Sequence, residues 1–224
     1  MLVDIPALLS KKKLTEIHEL IAQAQFVDGK LSAGKAAQRV KNNEEIAADA
    51  AQLERLNQLV MGPLVNHPIF QNAVLPHRVA TPFFARYTSQ QHYGEHIDDP
   101  VMGPMGQRYR SDISITIFLT PPAEYQGGEL RIHTQFGHHD VKLEAGDAII
   151  YPSSSLHQVM PVASGTRLVA VTWAQSLIRN PGKRELLYEL NLARQSLMAE
   201  RPEAQVTKQV DHSYVNLVRM WSEL

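Results

Sequence analysis

Short strand-like segments separated by turn signals occupy the middle of this sequence, and they restrict its fold more than any other feature. In the clearest segment, Ile113, Ile115, Ile117 and Leu119 alternate with Ser114, Thr116 and Phe118. This two-residue period is typical of a strand with one face in the core. Roughly seven or eight such strands predict two facing antiparallel sheets, and the jelly-roll, or double-stranded β-helix, is the version with a pocket between them.

Helical periodicity precedes this region. The sequence predicts a helix over residues 11–25 capped by Ser10, because apolar residues recur there on one stripe. It predicts a second helix through residues 44–59, capped by Asn42 or Asn43, and a short helical piece after Pro68. These helices are expected to pack on the outside of a sheet.

Helical spacing returns after the strands. Asn180 and Pro181 signal a helix start, and the predicted buried stripe is Leu186, Leu190, Ala193 and Leu197. A further helix is expected beyond Pro202. The sequence therefore predicts an α+β chain in three parts: a support region at residues 1–76, a jelly-roll core at residues 77–177 and a C-terminal helical appendage at residues 178–224. The appendage is expected to pack on the barrel or on a second copy of the chain.

A histidine and an aspartate stand two residues apart in the strand region, at His96 and Asp98. Positions i and i+2 share a face only on an extended backbone, so the two side chains can bind one metal ion if this segment is extended. We assign His157 as the third ligand. Two imidazoles and one carboxylate on one side of an ion leave the opposite positions open, which suits ferrous iron activating dioxygen. The spacing alone also allows the alternative that these three residues form a polar cluster without a catalytic role.

An arginine follows ten residues after His157, at Arg167. It shares a strand face with Val169, Val171 and Trp173, so an inward Arg167 needs an anion, and its planar guanidinium suits a carboxylate of a co-substrate. Tyr87 is expected to donate a second hydrogen bond to that carboxylate.

Several segments resemble the PKHD-type hydroxylases, a family of iron(II)- and 2-oxoglutarate-dependent dioxygenases with a group linked to bacterial iron uptake. These segments are Tyr-Gly-Glu-His-Ile-Asp-Asp-Pro, Gly-Gly-Glu-Leu, Ala-Gly-Asp-Ala-Ile-Ile-Tyr-Pro-Ser-Ser-Ser-Leu-His and Leu-Ile-Arg-Asn-Pro. The resemblance extends over nearly the whole chain. It implies a jelly-roll in which His96, Asp98 and His157 bind Fe(II) and Arg167 binds 2-oxoglutarate.

The resemblance also implies a reaction. Oxidative decarboxylation of 2-oxoglutarate to succinate and CO2 is coupled to hydroxylation of a C–H bond, with O2 as oxidant and L-ascorbate as a reductant of oxidised iron. The family name implies prolyl or lysyl hydroxylation, and thus a peptide substrate. The link to iron uptake implies a siderophore-like small molecule as the alternative. Two alternatives stay open: a non-redox cupin-like metalloenzyme using zinc or manganese, and a non-enzymatic metal or small-ligand sensor. Arg167 favours the dioxygenase, because neither alternative needs a buried carboxylate clamp.

Composition limits the partners and the chemistry. A formal net charge of −1 argues against nucleic acid or an anionic membrane surface as the main partner. The absence of cysteine excludes disulfides and thiolate metal sites. No run approaches ~18 consecutive apolar residues, and an acidic residue stands at Asp4, so the sequence predicts a cytoplasmic protein.

Residues 99–112 are expected to form a long loop that closes over the substrate. Gly103 and Gly106 supply backbone freedom, and the loop leaves directly from Asp98 at the mouth of the pocket. The substrate contacts are expected from Met102, Met105, Arg108, Tyr109 and Arg110. The arginines favour an acidic or chelating substrate, and an ordinary connecting loop is the alternative.

Overall fold

The computed structural model describes residues 1–32, 34, 37–47 and 49–224. Its helices are α1 (Lys11–Ala22), α2 (Ala50–Asn66), α3 (Pro68–Val74), α4 (Pro181–Glu200) and α5 (Gln205–Trp221). In chain order its strands are β1 (Val3–Ile5), β2 (Phe26–Asp28), β3 (Lys41–Asn42), β4 (Glu44–Ile46), β5 (Pro76–Val79), β6 (Phe83–Tyr87), β7 (His92–His96), β8 (Val101–Met102), β9 (Tyr109–Arg110), β10 (Ile113–Phe118), β11 (Tyr125–Gly127), β12 (Leu130–Thr134), β13 (Gly137–Val141), β14 (Ala148–Pro152), β15 (His157–Val159), β16 (Val162–Gly165) and β17 (Arg167–Ser176).

Two antiparallel sheets form the core of the fold. The larger sheet has the order β1-β14-β10-β17-β6-β4-β2, with β5 paired to the end of β17, and the smaller has the order β13-β12-β15-β7-β3. Phe118 and Val169 from the larger sheet pack against Leu130 and Ile132 from the smaller one. The sheets therefore face each other across a shared interior, and the expected jelly-roll is confirmed.

A second core lies on the opposite face of the larger sheet. There Ile115 and Ile117 pack with Leu56 of α2 and Phe70 of α3, all of them fully buried. The prediction that only one face of the strand at residues 113–119 is buried is wrong. Its other face, which includes Ser114, is buried too, because it lines the interior between the sheets. The helices cover the outside of the sheet, as expected.

The first and third predicted helices form, but the second begins later than expected. Ser10 caps α1, and α3 follows His67. Residues predicted to open the second helix instead form β4, which pairs with β6. Asp49 provides the cap of α2, because its carboxylate accepts a hydrogen bond from the backbone N–H of Gln52 at 2.8 Å. Pairing with a distant strand edge therefore overrode local helical propensity at Glu44–Ile46.

The C-terminal helices form as predicted, but the buried stripe of α4 is different. Leu186 is 55% exposed, whereas Arg184, Leu187 and Asn191 are buried. Arg184 donates a hydrogen bond to the carbonyl of Ile178 at 2.6 Å, which ties the start of α4 to the segment after β17. This polar anchor rotates the helix away from the stripe that apolar periodicity predicted. No helix in the described part of the chain has both the length and the apolar composition needed to cross a membrane.

We expect Phe70→Ala to lower the free energy of unfolding by about 3–5 kcal/mol, because it opens a cavity between α3 and the larger sheet. Urea denaturation of the metal-free protein measures this change. Leu186→Ala is the control, and its exposed position predicts a change within about 0.5 kcal/mol. Equal effects of the two substitutions would contradict this assignment of the core.

Candidate active site

The smaller sheet brings the two histidines of the predicted site together. His96 ends β7, His157 begins β15, and the two are direct cross-strand partners. Asp98 lies two residues beyond the end of β7, and its Oδ1 is 3.9 Å from the Nε2 atom of each histidine. Candidate ligand atoms of these three residues all lie within 4.8 Å of one another. The cluster therefore has the donors and the spacing to hold one metal ion.

Hydrogen bonds orient all three side chains toward a common point. The Nδ1 atoms of His96 and His157 lie 2.8 and 2.9 Å from the carbonyls of Gly94 and Ser155. Because a carbonyl only accepts, each Nδ1 carries the proton, which leaves the Nε2 lone pairs free for a metal. The Ser114 hydroxyl donates to Oδ2 of Asp98 at 2.5 Å, so Oδ1 is the oxygen left facing the histidines.

Burial keeps His96 in the neutral form that binds metal. Burial lowers its pKa from 6.5 to about 4, and the neighbouring His157 adds to this effect. The carbonyl of Gly94 and the carboxylate of Asp98 act in the opposite direction and are smaller causes. At neutral pH the imidazole is therefore unprotonated at Nε2 and available as a ligand.

A buried guanidinium lies at the inner end of the same interior. Arg167 is 1% exposed, and its Nε and Nη1 atoms are buried without a hydrogen-bond partner among the described residues. Its guanidinium carbon lies 5.0 Å from the ring centroid of Tyr87 and 5.6 Å from that of Phe118. An uncompensated buried charge costs several kcal/mol, so this position fits an anionic ligand such as a carboxylate.

Tyr87 lies directly beside Arg167, as its cross-strand partner on β6. Burial raises the pKa of Tyr87 to about 12, although the adjacent Arg167 acts in the opposite direction. The phenol is therefore protonated at neutral pH and able to donate a hydrogen bond. The side chain of Asn43 also acts to lower the pKa of Tyr87, as the smallest of these causes.

The Gly127-Gly128 turn makes room for the guanidinium stem. Gly128 has a φ of +68°, a region that favours glycine, and a Cβ there would lie 3.1 Å from Cδ of Arg167. A Cβ on Gly127 would lie 2.2 Å from the carbonyl oxygen of Pro161. The paired glycines therefore allow the backbone to pass close to the arginine.

One cavity of about 1090 Å³ connects these groups. Its lining includes the three residues of the cluster, Arg167 and Tyr87, and it extends outward to Phe83, Trp173, Arg78 and Arg108. The indole N–H of Trp173 is buried without a hydrogen-bond partner among the described residues. The cavity thus joins an inner end with a buried cation to an outer end with aromatic rings, a free donor and two further cations.

Residues 99–112 contain a short hairpin, so the prediction of a loop without secondary structure is wrong. Strands β8 and β9 pair with each other, and Met102 and Tyr109 face the cavity. Arg110 is not part of the cavity lining and forms an ion pair with Asp112 at 2.6 Å. Met105 also lies outside that lining and is 89% exposed. Of the two loop arginines, only Arg108 lines the cavity.

Sequence reasoning missed three residues that contact the cluster. Ser114 binds Asp98, and the rings of Tyr93 and Tyr151 contact His96 and His157 respectively. The alternation of β10 contained a signal for Ser114, because this residue lies on the face opposite the isoleucines. Tyr93 precedes His96 by three residues, and Tyr151 precedes His157 by six. No pattern in the sequence distinguished these two tyrosines from aromatic residues of the core.

Comparison with protein families gives two matches that together cover most of the region after residue 81. The 2OG-Fe(II) oxygenase superfamily matches residues 82–175, and the PKHD-type hydroxylase C-terminal domain matches residues 182–223. A PKHD-type hydroxylase of Thioalkalivibrio sulfidiphilus is 51% identical over 224 residues, with all of both chains covered. One from Acaryochloris marina is 44% identical over 223 residues, again with all of both chains covered.

Solved structures share the fold at low identity. A prolyl hydroxylase from Trichoplax adhaerens, solved with a hypoxia inducible factor peptide, has a TM-score of 0.56 and 17% identity, covering 83% of this chain and 86% of that one. HygX from Streptomyces hygroscopicus, solved with nickel and 2-oxoglutarate, has a TM-score of 0.53 and 11% identity, covering 79% and 84%. At these identities the similarity concerns the fold alone.

The jelly-roll and the family match define an oxygenase of the 2OG-Fe(II) superfamily. The full-length similarity to its relatives shows further that this chain belongs to the PKHD-type hydroxylases. It is an Fe(II)- and 2-oxoglutarate-dependent dioxygenase that uses O2 to hydroxylate a substrate. This result decides against the cupin-like enzyme and the sensor, and the His-Asp-His cluster and buried Arg167 fit the metal and the co-substrate.

We expect the metal-free protein to lose stability as the pH falls from about 7 to about 5. The pKa of His96 is about 4 in the folded state and 6.5 in the unfolded state. The unfolded chain therefore binds more protons than the folded one between these two pH values. The loss attributable to His96 is about 1–2 kcal/mol. Urea denaturation at both pH values measures it, and His96→Gln should weaken the pH dependence. An unchanged dependence in the variant would assign the effect to other groups.

Proposed function

We propose that His96, Asp98 and His157 bind the Fe(II), and that Arg167 and Tyr87 bind the distal carboxylate of 2-oxoglutarate. The observation that carries this proposal is the buried guanidinium with unpartnered nitrogens, lining the same cavity as the cluster. The bound iron supplies the reduction of dioxygen that is coupled to decarboxylation of the co-substrate. A carboxylate at Arg167 would compensate its charge with charge-assisted hydrogen bonds.

The protein's own contribution to this reaction is orientation and exclusion of water. The carbonyls of Gly94 and Ser155 fix both imidazoles, and Ser114 fixes the carboxylate of Asp98. Phe118 and Val169 form part of the apolar interior beside Arg167. This environment favours a single geometry of ligands and co-substrate before the hydroxylation substrate arrives.

The substrate is proposed to carry an acidic group that binds at the outer end of the cavity. Arg78 and Arg108 line this end, and both residues are exposed to solvent. Arg78 donates to the backbone carbonyl of Arg108 at 3.3 Å, which keeps the two residues close. The hairpin of β8 and β9 adds Met102 and Tyr109, and we propose that it closes over the substrate. Either an acidic peptide or a small acidic chelator fits these contacts.

Several expectations from the sequence remain predictions. They are the division at residues 76 and 177, the use of ascorbate, the link to iron uptake, the cytoplasmic location, the exclusion of nucleic acid and membrane as partners, and association of two copies through the C-terminal helices. Exposed Leu192 on α4 and Val215 on α5 are compatible with such association.

The central test separates metal binding from co-substrate binding. Asp98→Ala should abolish Fe(II) binding and succinate formation while the fold persists, because one of three ligands is lost. Arg167→Leu should leave Fe(II) affinity nearly unchanged but weaken 2-oxoglutarate binding at least about a hundredfold, since a buried charge-assisted pair is lost. Anaerobic calorimetry of metal-free and iron-loaded protein measures both affinities.

Either of two results would overturn the assignment. The first is full turnover by Asp98→Ala, and the second is equal 2-oxoglutarate affinity in the wild type and Arg167→Leu. Arg179→Leu is a matched control, because this arginine is exposed and lies outside the cavity. It should change neither affinity.

The acidic-substrate proposal is tested with the double variant Arg78→Ala and Arg108→Ala. We expect substrate-independent succinate formation to persist, because the residues proposed to bind iron and co-substrate are intact. Stimulation of succinate formation by acidic peptides or acidic chelators should fall at least about tenfold relative to the wild type. Equal stimulation of both proteins, or preference of the wild type for neutral compounds, would contradict the proposal.

A further inference from the structure

A buried ion pair lies in the wall of the cavity and has no part in the proposed chemistry. Lys41 and Glu45 have side-chain exposures of 8% and 12%, and Nζ of Lys41 is 2.5 Å from the carboxylate of Glu45. The hydroxyl of Ser32 also accepts a hydrogen bond from Nζ at 3.1 Å. Removing two charges from water is costly, so such a pair contributes little net stability.

The pair connects the two sheets. Lys41 is on β3, where it is the cross-strand partner of Tyr93 on β7 of the smaller sheet. Glu45 is on β4, where it is the cross-strand partner of Ala85 on β6 of the larger sheet. The ion pair therefore links β3, which pairs with the strand that bears His96, to β4, which pairs with the strand that bears Tyr87.

A column of contacts leads from this pair to the metal-site histidine. Nζ of Lys41 lies 5.4 Å from the ring centroid of Tyr93, within the range of a cation–π contact. The Tyr93 ring is stacked on the imidazole of His96, with centroids 3.7 Å apart and an interplanar angle of 12°. The order is thus carboxylate, ammonium, phenol ring and imidazole.

We propose that Lys41, held by Glu45, is a positioning residue for His96 that acts through the ring of Tyr93. The hydrogen bond to Gly94 fixes one edge of the imidazole but leaves rotation about that bond possible. The stacked phenol ring blocks this rotation on one face, and the ammonium holds the phenol ring against the imidazole. The inference rests on the proposed role of His96 as an iron ligand. We therefore expect the contacts from Lys41 through Tyr93 to His96 to raise the affinity of the protein for Fe(II).

Anaerobic titration of the metal-free protein with Fe(II), in competition with a chelator, tests this proposal without any measurement of turnover. Lys41→Met removes the charge but retains much of the side-chain length, and Tyr93→Leu removes the stacked ring. Each should weaken Fe(II) binding about tenfold, as is typical when a group supporting a metal ligand is lost. Tyr93→Phe keeps the ring and should retain wild-type affinity.

Lys142→Met is a matched control. Lys142 also lies over a tyrosine ring, 4.1 Å from the centroid of Tyr125, and 3.9 Å from the carboxylate of Glu129. Neither Tyr125 nor Glu129 contributes to the His-Asp-His cluster. This variant loses the same kinds of contact and should leave Fe(II) affinity unchanged.

The outcomes separate this inference from the assignment of the iron site. If Asp98→Ala binds Fe(II) normally, the iron-site proposal fails. If Asp98→Ala loses Fe(II) but Lys41→Met and Tyr93→Leu bind it as the wild type does, the column is only structural and the inference is overturned. If Lys41→Met does not fold, the comparison of Tyr93→Leu with Tyr93→Phe tests the inference instead. Glu45→Gln, which keeps Lys41, should also lower the Fe(II) affinity.

Discussion

The direct pairing of His96 with His157 is the constraint on which the site depends. These residues belong to β7 and β15, which come together only when the smaller sheet forms, and the pairing places their imidazoles on the same face. Asp98 then needs only the short continuation of β7 to reach both Nε2 atoms. The geometry of the His-Asp-His cluster is therefore a property of sheet register, since a shift of one residue would turn either imidazole to the other face.

The larger sheet contributes the opposite side of the cavity and its charge. Arg167 is the first residue of β17, a central strand, and its guanidinium lies near the rings of Tyr87 and Phe118. Its Nε and Nη1 atoms are buried without a hydrogen-bond partner in the described part of the chain. An arginine in this position lowers the stability of the ligand-free protein, and a bound anion raises it again. Helices α1 to α3 cover the outer face of this sheet, so this face is packed in a hydrophobic core on the side away from the cavity.

Local patterns predicted the parts of this structure that depend on neighbours in sequence. The cap at Ser10, the alternation of β10 and the two-residue spacing of His96 and Asp98 are all of this kind. Contacts between distant residues were not predictable in this way. Glu44–Ile46 became an edge strand because β6 offered a pairing partner, and the face of α4 turned because buried Arg184 binds a carbonyl after β17.

The assignment of the iron site and the co-substrate site can be tested by a crystal structure of the protein, with crystals grown without oxygen in the presence of Fe(II) and 2-oxoglutarate. We expect one iron anomalous-scattering peak bound by Nε2 of His96, an oxygen of Asp98 and Nε2 of His157. We also expect the distal carboxylate of 2-oxoglutarate to pair with Arg167. An iron peak away from these three side chains, or a distal carboxylate elsewhere in the cavity, would show that the assignment is wrong.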